Sequence, residues 1–125
     1  MLNMKSLVIA VLALAIPTVF SYDEKYDKLD VDKIIGDDSL FDAYIQCLLD
    51  KGPCSVEHSA DFRKLVPEVI ADACAKCTPL QRTNVRKTVK ALQEKKPQEF
   101  KEFRAKYDPK GEYEQAFAAF MVATD

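Results

Sequence analysis

An all-α fold is predicted by three features of the chain. It holds only three glycines, it lacks any long alternation of β-branched residues, and its apolar side chains recur three and four positions apart among many Ala, Leu, Lys and Glu. Four cysteines fall in two close couples, Cys47 with Cys54 and Cys74 with Cys77. The expectation is a compact bundle of about six helices with two local disulfides.

The first element is a leader. Leu7 to Phe20 form an apolar run behind Lys5, closed by Val19-Phe20-Ser21. The run falls short of the roughly 20 residues a spanning helix needs and fits a secretory h-region. Cleavage is expected between Ser21 and Tyr22, leaving residues 22–125 as one domain in extracellular fluid, without stable membrane insertion. The whole chain carries a formal charge of −2, and loss of Lys5 makes the remainder about −3. Such a balance gives no global attraction for nucleic acid or an anionic bilayer.

Tyr22 to Leu29, charged and Tyr-spaced, reads as an extended arm. Asp30 or Asp32 can cap a short helix through Ile34 and Ile35 that stops at Gly36. Asp38 or Ser39 then caps a longer helix whose stripe is Leu40, Tyr44, Cys47 and Leu48, widened by Phe41, Ile45 and Leu49 and ended by Gly52-Pro53. The third helix starts near Ser59 and aligns Phe62, Leu65, Val66, Val69, Ile70 and Ala73, the clearest core stripe in the chain. Pro67 inside it removes one backbone donor and is expected to kink it.

Thr78-Pro79-Leu80-Gln81 combines an N-cap, a proline at the first helical position and a Gln three residues after the cap. The helix it opens should turn Leu80, Val85, Val89 and Leu92 inward. Pro97 opens a fifth helix with Phe100, Phe103 and Tyr107, and Asp108-Pro109-Lys110-Gly111 is a turn. A last helix groups Tyr113, Ala116, Phe117, Phe120 and Met121. No repeat or low-complexity tract interrupts the series.

Four cysteines allow three connectivities, among which spacing favours the two local couples. An exported chain meets an oxidising compartment, where an even count argues for bridges. Cys74 and Cys77 also have zinc-ligand spacing, but the other couple is too wide for a knuckle, and no metal or cofactor is expected. Loops this short contribute only about 2 to 2.5 kcal/mol each by chain entropy, so helix packing must supply most of the stability.

Catalytic readings find little support. His58 is the one histidine, and it reads as an exposed loop residue with no cysteine free to pair with it. The chain lacks a Gly-rich phosphate loop, and Asn3 and Asn84 are not glycosylation acceptors because Lys5 and Arg86 stand two residues on. Arg82, Arg86 and Lys90, with Lys87 nearby, form a basic stripe that reads first as a solvated helix face and second as a surface for an anionic partner. Tyr26, Tyr44, Phe62, Phe100, Phe103, Tyr107, Tyr113, Phe117 and Phe120 recur in every major segment, and composition alone favours a filled core over a cavity.

Several stretches carry a resemblance. Lys25-Tyr26-Asp27, the run from Tyr44 through Ile45-Gln46-Cys47-Leu48-Leu49-Asp50-Lys51-Gly52-Pro53 to Cys54, and Leu65-Val66-Pro67-Glu68 come first. Cys74-Ala75-Lys76-Cys77, Ala105-Lys106-Tyr107-Asp108-Pro109 and Gly111-Glu112-Tyr113 follow. With these the chain closely resembles the insect chemosensory protein family, also called the OS-D or pheromone-binding A10 type. The resemblance implies six helices around a hydrophobic channel for long-chain lipophilic ligands, with cysteines bridged in sequence order.

By motif position, the resemblance puts Tyr26 and Asp27 at the channel mouth, Tyr44 and Leu48 on its wall, and Leu65, Val66, Val69 and Phe100 as further lining. It also marks three departures. Phe100 stands where the family usually has tryptophan, and 19 residues separate Cys54 from Cys74 where 18 is usual, pointing to an extra residue around His58 and Ser59. Phe117 stands where some members have a gating tyrosine. The reading is a secreted, monomeric, non-enzymatic carrier of a hydrophobic small molecule of odorant, pheromone or long-chain lipid type. Its alternative is an interaction or developmental factor that engages a protein partner through Arg82, Arg86 and Lys90.

Overall fold

The computed structural model describes residues 21–125, which form a 3-10 turn at Glu24–Lys28 and six α-helices. These are α1 (Val31–Gly36), α2 (Asp38–Leu48), α3 (Ser59–Asp72), α4 (Pro79–Lys95), α5 (Pro97–Tyr107) and α6 (Glu114–Val122). No strand occurs among the described residues. The expected leader lies outside them, except for Ser21.

Local chemistry sets most boundaries. Gln81 N–H donates to Thr78 Oγ1 at 3.1 Å while Thr78 N–H donates to Gln81 Oε1 at 3.0 Å, the reciprocal box that the sequence predicts for α4. Asp30 caps α1 by accepting from Lys33 N–H at 3.0 Å. Prolines open both α4 and α5, where the missing N–H costs nothing. Pro67 does not end α3; it sits exposed on the outer side of an unbroken helix.

Four expectations are corrected. Tyr22 to Leu29 is not an extended arm: Asp23 accepts from Lys25 N–H at 2.9 Å and starts a 3-10 turn. Gln81 Nε2 donates to Asp23 O at 3.0 Å and docks that turn on α4. Asp37, rather than Asp38 or Ser39, caps α2 by accepting from Leu40 N–H at 3.1 Å. The helix then stops at Leu48, before Gly52-Pro53, because Asp50 takes φ 59° and lets Lys51 N–H reach Gln46 O at 2.8 Å, closing a Schellman turn. Leu80 points outward and is 47% exposed; the inward seam of α4 starts at Gln81, one residue or about 100° further round.

Both disulfides close within their couples, Cys47 with Cys54 and Cys74 with Cys77. Each braces a strained corner. The first loop encloses Asp50, and Cys74 itself follows Ala73 in the left-handed region, at φ 63° and 53°. A non-glycine residue there costs on the order of 1–2 kcal/mol, comparable with the stabilisation from one short loop. The bridges therefore fix corners and leave the centre to side-chain packing.

One buried cluster joins α2 to α4. Phe41, Ile45 and Leu49 of the α2 region meet Ala91 and Leu92 of α4, with Ile34, Ile35, Phe100 and Phe103 packed around them. The α3 stripe does not join this cluster: Phe62, Leu65, Val66, Val69 and Ile70 are all only half-buried. Their apolar faces meet a cavity.

Candidate functional site

The cavity measures about 420 Å³, within the range of small-molecule sites. α3 supplies one wall through Phe62, Leu65, Val66, Val69 and Ile70. Tyr44 and Leu48 of α2, Val85 and Val89 of α4, and Phe100, Phe103 and Tyr107 of α5 form the others. Tyr113, Phe117 and Met121 bring α6 across it, and Tyr26 reaches it from the 3-10 turn.

Aromatic contacts brace one end. The Tyr26 ring stands edge-on to His58 at 5.4 Å and lies 5.3 Å from Phe62, whose ring is 6.2 Å from Tyr44. His58 is thus not the exposed loop residue expected; its side chain is 22% exposed and packs over Tyr26. Phe103 and Tyr107 pair at 4.8 Å elsewhere in the lining.

Most polar groups of the lining are already engaged. Tyr44 donates its hydroxyl to Glu57 O, and Tyr107 donates to Leu48 O, a helix-end carbonyl that lacks an intrahelical partner. Burial raises both phenol pKa values, so neither tyrosine ionises near neutrality. Gln81, 7% exposed, is held by Thr78 and Asp23. Thr88 donates to Asn84 O at 2.8 Å, and Tyr26 lies against the Asp61 carboxylate. Arg104 of α5 pairs with Glu114 of α6 at 2.7 Å, and Asp108 accepts from Tyr113 N–H at 3.3 Å. The Asn84 side chain has no hydrogen-bond partner among the described residues.

Tyr26, Tyr44, Leu48, Leu65, Val66, Val69, Phe100 and Phe117 are brought together around this space. Asp27 is the correction. It does not line the cavity; its carboxylate accepts from the Thr78 hydroxyl at 3.0 Å, which orients the α4 cap. Sequence reasoning missed Asn84 and Thr88 as lining, although their place in the series 81, 84, 85, 88, 89, 92 marks the inward seam.

The basic stripe is corrected too. Arg86 Nε donates to Phe120 O at 2.8 Å, and Arg86 and Arg82 pair with the Asp125 carboxylate at 2.5 and 2.6 Å. Both guanidinium groups lie over the Phe120 ring, 4.4 and 5.1 Å from its centre. Lys90 stays exposed. Two of the three cations hold α6 in place rather than facing a partner.

Residues 22–115 match the model of the insect pheromone-binding family, A10/OS-D. The chain belongs to that family. Among its A10/OS-D relatives, ejaculatory bulb-specific protein 3 of Drosophila melanogaster is 39% identical over 103 residues, covering 82% of this chain and 81% of the relative. A solved chemosensory protein in complex with bromo-dodecanol superposes with a TM-score of 0.70 at 28% identity, covering 79% of this chain and 98% of that one. Antennal chemosensory protein A6 from the moth Mamestra brassicae gives 0.63, also at 28% identity, over 83% of this chain and all of that structure. The all-α architecture with two disulfides is thus that of the chemosensory proteins.

Proposed function

We propose that this protein is a secreted, monomeric, non-enzymatic carrier that encloses one hydrophobic small molecule and moves it through aqueous fluid. The observation that carries the reading is a helical stripe whose apolar side chains face a cavity of about 420 Å³ instead of packed core. Burial of a ligand's apolar surface there contributes roughly 25 cal/mol per Å², without any requirement for a reacting group. The binding residues are Tyr26, Tyr44, Leu48, Leu65, Val66, Val69, Phe100 and Phe117. Complex formation with bromo-dodecanol in a relative of the same fold supports the ligand class.

Secretion rests on the apolar leader; among the described residues no helix is long and apolar enough to cross a membrane. The test uses N-phenyl-1-naphthylamine, whose fluorescence rises in apolar surroundings. Stoichiometric uptake is expected for the oxidised protein, and Val69→Trp, which puts an indole into the middle of the α3 wall, should lose it. Undiminished uptake by that folded variant would move the site elsewhere.

A further inference from the structure

We infer that the cavity is built for a neutral chain-like lipophile ending in one hydroxyl or carbonyl oxygen, held at that end by the carboxamide of Asn84. This deepens the carrier reading and rests on it. Asn84 sits midway along the inward seam of α4, between Gln81 and Thr88 and beside Val85. Its side-chain NH2 and C=O are not engaged by the protein among the described residues, whereas Tyr44, Tyr107 and Gln81 have partners. A half-buried amide against an apolar space lowers the free energy most when a ligand both accepts from it and donates to it. A terminal hydroxyl does both.

Charge decides against an anion. Among the described residues Arg104 is the one cationic side chain of the lining, and Glu114 already holds it at 2.7 Å. Asp108 and Glu114 line the same space, so the lining is net negative. A fatty carboxylate would enter without a free counter-ion, and an unpaired buried carboxylate is far costlier than an unpaired hydroxyl. Tyr113 also has no hydroxyl partner among the described residues, but it stands beside the carboxylates of Asp108 and Glu114, and Gln93 is exposed to solvent.

Displacement of N-phenyl-1-naphthylamine from the oxidised protein by dodecan-1-ol, dodecane and dodecanoate at pH 8 tests the inference. The wild type should prefer dodecan-1-ol to dodecanoate, and Asn84→Leu should lower the ratio of dodecan-1-ol to dodecane affinity about three- to tenfold, the effect of one neutral hydrogen bond. Tyr113→Phe should leave that ratio unchanged. An unchanged ratio in Asn84→Leu, a ratio that falls in Tyr113→Phe instead, or tighter binding of dodecanoate by the wild type would each overturn the assignment while leaving the carrier reading intact. The dodecanoate comparison needs no variant, so it decides even where Asn84→Leu does not fold. A wild type that takes up neither the fluorescent probe nor any of the three would overturn the carrier reading and this inference together.

Discussion

At Asp50 the backbone, with φ 59°, closes α2, while the carboxylate accepts from Arg63 Nε and Nη2 at 2.6 and 2.7 Å and from Lys106 Nζ at 2.8 Å. One residue thus ties the end of α2 to α3 and α5. The hydrogen bonds from Arg63, then Lys106, hold the Asp50 carboxyl below the ordinary carboxylate range. A depressed folded-state pKa gives stability that is present above the unfolded value, near 3.9, and is lost as pH falls through the folded value. Asp50→Asn isolates the charge, because asparagine takes the left-handed backbone as readily as aspartate. The variant should melt below the wild type from pH 5 to 7, with the gap closing below about pH 4 and shrinking in high salt, as befits a half-exposed triad. A gap that stayed constant down to pH 2 in thermal scans would assign the effect to packing instead.

α6 is attached differently from the other helices. It makes only sparse close-backbone contact with its neighbours, yet it carries Phe117 and Met121 across the cavity. Arg82 and Arg86 compensate by embracing Phe120 and gripping Asp125, while Arg104 pairs with Glu114 at the helix start. Arg86, 14% exposed, makes a charge-assisted bond to Phe120 O, so Arg86→Ala should favour local opening of α6 by about 2 kcal/mol. Hydrogen exchange should show faster α6 amides with α1 to α4 unchanged, and a global change would show that the arginine supports the whole bundle. The sequence could not reveal this role. Spacing placed Arg82, Arg86 and Lys90 on one face of α4, but the partners of the two arginines, Phe120 in α6 and Asp125 after it, lie more than 30 residues downstream. Caps were legible wherever donor and acceptor lie within one turn, as at Thr78 and Gln81. Leu80 was misjudged because a first-turn apolar residue satisfies the periodic pattern without facing the seam, and Asp27 because its partner Thr78 is 51 residues away.

Across the whole molecule the fold divides into a packed cluster between α2 and α4 and a hollow middle that part of that cluster borders. Helix count, order and both local bridges could be read from period and spacing, since each depends on near neighbours in sequence. The cavity could not, because an inward stripe looks the same whether the space it faces is filled or empty; the family motifs, not the periodicity, pointed to it. The division makes a quantitative contrast. Leu49 is 7% exposed within the cluster of Phe41, Ile45, Ala91 and Leu92 and does not line the cavity, so Leu49→Ala opens a new void and should destabilise the ligand-free protein by roughly 2–5 kcal/mol. Val69 already borders empty space, so Val69→Ala removes contacts on one side only and should cost less than about 1 kcal/mol. Saturation with dodecan-1-ol should then raise the stability of every form that still binds it, because a ligand at 100 times its dissociation constant adds about 2.7 kcal/mol. Urea unfolding with and without the alcohol reads both terms. Equal losses for Leu49→Ala and Val69→Ala in the ligand-free protein would mean that the wall of α3 closes on itself in solution, and the hollow middle would have to be opened by the ligand.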